Sequence, residues 1–183
     1  VLFHYCRSPS IKCTLKALVT TLNLFGVGDD LARTVHLTML HFHTNVFATP
    51  TKLVSGPTLE LRGTEFVTLV GADNTPPLFD RSLPFSFEEL QSRLVKIPRM
   101  DIEPDGYFLI AGGEAEGERW QIDGHLFEYN DQMHRVELHG TCSDQVLSQL
   151  LACFGADEVV FQLVHEGVTL SEPDFRRWAQ LDC

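Results

Sequence analysis

Between residues 58 and 62, Leu59 and Leu61 alternate with Thr58, Glu60 and Arg62, the two-residue period of a strand with one buried face. A second strand is expected over 65–70. Gly63-Thr64 stands between the two, and a pair of central residues beginning with glycine predicts a type II′ hairpin. At Ser86 the period changes to that of a helix. Phe87, Leu90, Leu94 and Ile97 fall on one stripe, Ser86 and Glu89 have the spacing of a capping box, and Pro98 stops the run. The turn formers over 71–84, and the short segment 49–51, read as loops.

The middle of the chain predicts a meander. A short apolar strand over 107–110 follows Pro104-Asp105-Gly106. Residues 119–122 and 125–129 flank Asp123-Gly124, the dipeptide of a type I′ turn, in which both central residues take positive φ. With that turn, Trp120, Ile122, His125, Phe127 and Tyr129 share one face. A second turn, at Asn130-Asp131 or over 130–133, adds His134, Val136 and Leu138 to it, since either length has the same parity. Arg119, Gln121, Glu128, Arg135, Glu137 and His139 then face solvent.

A helix is expected over 143–154, with Val146, Leu147, Leu150, Leu151 and Phe154 as its apolar stripe and Gly155 at the left-handed cap position. Residues 158–164 are nearly all apolar, as in a strand covered on both sides. If that strand is parallel to its neighbour, the preceding helix is a crossover, expected to be right-handed. Ser171 caps a last helix with Pro173 in its first turn.

The predicted fold class is α+β, a mainly antiparallel sheet of about five to seven strands with two or three helices packed on one face. Residues 1–45 are expected to be an N-terminal extension, helical or poorly ordered. Residues 46–183 are expected to form a single α+β domain.

Composition narrows the function. Of 183 residues, 44% are hydrophobic and 21% charged, which excludes a wholly disordered chain. Fourteen Lys and Arg against 25 Asp and Glu give a net charge of -11. That balance opposes phosphate neutralisation and docking on anionic lipid, so neither nucleic acid nor membrane is an expected partner. No apolar run reaches the length needed to span a bilayer. The five cysteines include no C-x-x-C pair and are odd in number, which predicts reduced thiols and a cytoplasmic setting.

The charge is uneven. Residues 1–38 hold four basic and two acidic side chains, whereas 39–183 hold 10 basic and 23 acidic, a net of -13. Arg7, Lys12 and Lys16 precede the uncharged run 17–28 in the order of a secretory signal, but no small-x-small cleavage site follows. An amphipathic surface helix is the plainer expectation. Met39 stands at the charge boundary, and one expectation is that it is the natural start.

Four groups of residues invite chemistry. In His139-Gly140-Thr141-Cys142-Ser143-Asp144 a strand meets a helix. Amides at a helix N-terminus favour a thiolate, and His139 and Cys142 would make a nucleophile pair. The plainer reading is a junction capped by Thr141 or Ser143 with a small buried cysteine. His41 and His43, two apart on a strand, would point the same way, as two metal ligands do, or belong to a polar linker. His125 and His134 on the meander's apolar face are candidates for an acid–base or ligand pair, or for hydrogen-bonded residues at a core margin. Glu114, Glu116 and Glu118 read as a solvated loop, because the calcium-loop pattern is missing.

No cofactor and no metal set is assigned. The leading expectation is a non-catalytic protein-interaction module of the immunity or adaptor kind. It would meet a basic protein partner through Glu128, Arg135 and Glu137 on the outward meander face. The alternatives are a small cysteine- or metal-dependent enzyme using His139 and Cys142 or the His125 and His134 face, and a small-ligand carrier. Oligomeric state is left open.

Overall fold

Along Met39–Ala48 (β1), Leu40, Phe42, Thr44, Val46 and Ala48 are sealed from solvent, while His41, His43 and Asn45 between them keep some exposure. That period belongs to a strand with two unlike faces. The computed structural model describes residues 39–112, 119–155 and 158–181. In it β1 is the middle strand of a nine-stranded sheet.

The remaining elements, in chain order, are Val54–Leu61 (β2), Thr64–Val70 (β3), Phe87–Leu94 (α1), Met100–Ile102 (β4), Tyr107–Gly112 (β5), Trp120–Tyr129 (β6), Gln132–Ser143 (β7), Asp144–Phe154 (α2), Val159–Leu163 (β8), Thr169–Ser171 (β9) and Glu172–Ala179 (α3). The strands lie side by side in the order β2-β3-β9-β8-β1-β7-β6-β5-β4, each antiparallel to its neighbours. β7 and β8 both pair antiparallel with β1 and are therefore parallel to each other. α2 is the crossover between them, with β1 lying in the gap.

Local chemistry sets the helix ends. Ser86 accepts from the Glu89 amide at 3.3 Å while Glu89 Oε2 accepts from the Ser86 amide at 3.0 Å, a complete capping box. Ser143 accepts from the Val146 amide at the start of α2, and Gly155, at φ 63°, closes it in the left-handed conformation. Ser171 accepts from the Asp174 amide at the start of α3.

The core joins β1, β5, β6, β7 and β8 to apolar residues of all three helices. Phe175 of α3 stacks on Phe161 with ring centroids 4.0 Å apart and meets Phe42 at 5.6 Å. The Arg62 guanidinium lies 3.9 Å over the Trp178 ring and donates to the carbonyls of Trp178 and Leu181, tying the β2–β3 hairpin to the end of α3.

The sheet is larger than the five to seven strands expected. Residues 39–45, assigned by pattern to the extension, form most of its central strand, and two three-residue strands, β4 and β9, add to it. All described elements fall within one compact unit, His36–Cys183. The helices do not clearly pack as the single layer expected on one face. α3 lies against β1, β3, β8 and β9, α2 against β7 and α1, and α1 meets the sheet chiefly at β4.

Three local readings change. The β2–β3 turn is Arg62-Gly63 at φ 50° and 73°, so both central residues are left-handed and the turn is type I′, one residue earlier than expected. Asp123-Gly124 is no turn at all, for β6 runs straight through it and pairs along its length with β5 and β7. Gly124 is there because Phe108 lies over it: a Cβ would come within 2.1 Å of the ring. The two-residue turn is Asn130-Asp131, at φ 52° and 59°. A bulge where Phe127 faces Arg135 but Glu128 faces Met133 shifts His134 off the core side, so that Met133 and Val136 are both buried.

The predictions for residues 1–38, including the basic-then-apolar run, Cys6 and Cys13, and those for Glu114, Glu116, Glu118 and Cys183, lie outside the described residues.

Candidate functional site

Removing the Asp123-Gly124 turn changes the parity of β6. Ile122, Gly124 and Leu126 enter the core, and Gln121, Asp123, His125 and Phe127 emerge on the other face. That face is shared by alternate residues of β1, β5 and β7. One line across it runs Tyr107, His125, Glu137, Asn45, Gln162, and the next runs Leu109, Asp123, His139, His43. Carboxylates and imidazoles therefore stand opposite one another, Asp123 across from His139 and His125 across from Glu137. Opposite partners on neighbouring strands are close enough to interact directly.

His43 is the most connected of them. Its Nε2 lies 2.8 Å from Glu137 Oε1, and its Nδ1 lies 3.4 Å from Nε2 of His165, in the turn that follows β8. The His43 ring also packs against those of His139 and His165, with centroids 4.8 and 5.2 Å away. On the β5 side the Tyr107 hydroxyl donates to Asp123 Oδ1 at 2.7 Å, and Gln121 donates to the same carboxylate. The hydrogen bond to Asp123, partial burial and the charges of Asp123, Glu103 and Asp101 together raise the Tyr107 phenol above its ordinary range. His43, Tyr107, Asp123, His125, Phe127, Glu137 and His139 line an open depression of about 340 Å³.

The two residues proposed as a nucleophile pair are not brought together. His139 sits opposite His43 on the polar face, whereas Cys142 sits opposite Leu40, fully buried on the core face. Burial pushes the Cys142 thiol up to about 12, although the Leu147 amide at the start of α2 hydrogen-bonds to it and works the other way. The helix terminus acts in the expected direction, and loss of solvent outweighs it.

Of the proposed partner-facing residues, Arg135 and Glu137 lie on the polar face. The Arg135 guanidinium is stacked 3.8 Å over Phe127. Glu128 is exposed near the end of β6. His125 packs on Phe127 at 4.7 Å. His134, carried out by the bulge, stands edge-on to Phe47 and Tyr129, outside the depression. His41 and His43 do point to one side of β1, but the neighbours of His43 come from β7 and the turn after β8.

Tyr107, Asp123 and His165 were missed. Tyr107 and His165 lie at the ends of apolar runs, and Asp123 was read as a turn residue. The available signal was the alternation Gln121, Asp123, His125 along an uninterrupted strand. Among the described residues no group of three or more His, Cys, Asp and Glu side chains converges as a metal cluster, and no helix is long and apolar enough to cross a membrane. The chain matches no protein-family model, no curated protein and no solved structure.

Proposed function

We propose that the protein is a non-catalytic interaction module that meets a basic protein partner on the polar face of β5, β6, β7 and β1. The observation that carries this reading is the cross-strand array itself: Asp123, His125, Glu137, His139 and His43 on three adjacent strands, around a shallow opening rather than an enclosed pocket. Sites for small molecules bury most of their ligand, which an open depression of this kind does not do. A rigid strand face presenting carboxylates at fixed spacing suits Lys and Arg side chains of a partner, with Asp101 and Glu103 adding negative potential at the β4 side. The free thiols Cys142 and Cys153 accord with a reducing, cytoplasmic location.

The test is affinity capture from the native host with the wild-type chain and with a double variant, Asp123→Arg with Glu137→Arg. A basic protein held by the wild type, released by raised salt and lost in the variant supports the reading. The same set of proteins captured by both chains overturns it.

A second reading, an acid–base enzyme, draws on two pairs that share the depression, His43 backed by Glu137 and Tyr107 bonded to Asp123. A carboxylate-held imidazole is the usual form of a general base. Here it stands on an open face, whereas acid–base chemistry gains from excluding water, so the interaction reading is preferred.

A further inference from the structure

We infer that His43 and His165 form a two-histidine site for a divalent transition-metal ion, of which zinc is the reference case. This does not rest on the interaction reading above. His43 Nδ1 and His165 Nε2 face each other at 3.4 Å. That is long for a hydrogen bond between nitrogens, so little is lost when it is given up. It does match a shared ion, because two imidazole nitrogens each about 2.0–2.1 Å from a tetrahedral zinc lie about 3.3–3.4 Å apart.

The tautomer is also the one a ligand requires. Glu137 Oε1 lies 2.8 Å from Nε2 of His43, so the neutral ring that carries its proton on Nε2 donates to that carboxylate and turns the Nδ1 lone pair toward His165. A carboxylate holding the far nitrogen of a ligating histidine orients the ring and raises its basicity. The histidines come from different parts of the chain, β1 and the turn after β8, while Glu137 is fixed by the register of β7 against β1. The sheet therefore fixes His43 and Glu137 before any ion arrives, and the turn after β8 brings His165 to them. His43 keeps 23% side-chain exposure, and the bond to His165 lies at the surface, so an ion can enter. With two protein ligands, the other coordination positions are open to water.

When the ion binds, the proton that His165 Nε2 points at His43 Nδ1 is lost to solvent, or the neutral His165 ring carries its proton on Nδ1 instead, and both facing nitrogens donate lone pairs to the metal. Nothing is oxidised or reduced. Binding weakens as pH falls, because protons compete for the same nitrogens.

The experiment is calorimetric titration of the untagged full chain with zinc chloride, beside the variants His43→Ala, His165→Ala, Glu137→Gln and His134→Ala, each with a thermal melt to verify folding. The chain has eight histidines in all, so the comparison between variants is what locates the site. The expected result is one zinc equivalent lost, or bound at least ten times more weakly, in both His43→Ala and His165→Ala. In Glu137→Gln it should be weakened by roughly 10- to 100-fold, and in His134→Ala unchanged. Zinc binding by the His165→Ala variant with wild-type stoichiometry and affinity overturns the inference, as does the absence of binding by the wild type. Since His165 lies in an exposed turn, its replacement leaves the sheet intact and the test stands if His43→Ala fails to fold.

Discussion

The two faces of β1 and β7 are made from the same strands and differ in almost every other respect. On one, Leu40, Phe42, Val46, Val136, Leu138 and Cys142 are buried among helix side chains. On the other, one residue away each time, stand His43, Asn45, Glu137, His139 and Arg135. The contrast between Cys142 and His43 shows what this does to chemistry. The thiol lies beside a helix N-terminus that favours its charged form, yet burial raises it to about 12. The imidazole remains partly open and gains a carboxylate at 2.8 Å. Side-chain type is therefore a poor guide to reactivity until the face is known, and the face depends on strand parity, which one misplaced turn inverts.

Substitutions that act on one face only can break this contrast. The largest effect is expected from Phe161→Ala on the core side, where the stacked partner Phe175 is left against a cavity. About 3–5 kcal/mol should be lost in urea unfolding. Gly124→Ala tests the parity of β6 itself. Because Gly124 lies under the Phe108 ring, the added methyl overpacks the core and should cost about 1–3 kcal/mol, and pairing it with Phe108→Ala, which opens that space, should cost less than the two single changes together; in a turn with Gly124 at positive φ the two losses would simply add.

Cys142 gives a test by pH. The unfolded thiol ionises near 9.0 and the folded one near 12, so between those values the unfolded chain has released a proton that the folded chain retains. The contribution to stability is complete below the lower value and falls by roughly 1.4 kcal/mol per pH unit above it. Tyr107 and Cys153, also raised, add to the alkaline loss in every variant. The flatter profile expected of Cys142→Ala in pH-dependent melts therefore isolates one group.

The smallest effect belongs to the polar face. Glu137→Gln should change stability by less than about 1 kcal/mol, since the His43–Glu137 pair is only partly buried. A large loss there would mean that this face is structural and would sharpen the comparison against us.

Much of the fold was legible because local rules acted alone. Ser86 with Glu89, Gly155 and Ser171 mark helix ends through bonds made within a few residues and appear where the sequence places them, and of the two caps it allowed for α2, Thr141 and Ser143, the structure uses Ser143. The turn beginning at Asn130 was legible for the same reason, and the structure chose the shorter of its two possible lengths. Two failures had a common cause. Asp123-Gly124 has the composition of a turn, but β5 and β7 supply hydrogen-bonding partners on both sides, and pairing the whole of β6 outweighs a local preference. Residues 39–45 looked like a linker because histidines and Asn45 interrupt the apolar run, and no partner in sequence betrays that β7 and β8 lie on either side. Of the candidate site, His43, His125, Glu137 and His139 were singled out, in separate groups and with other partners.

By itself the sequence determined the helix periods and most helix ends, the acidic balance, and the presence of histidines and carboxylates on strands. These depend on contacts a few residues apart or on counting. Tertiary structure alone decided that β1 is central, that β6 is continuous, that Cys142 and His139 face opposite ways, and that His43 meets Glu137 and His165 across sequence separations of 94 and 122 residues. Those are matters of register between distant strands. Register is fixed by burying one whole face at once, a condition no single segment can state.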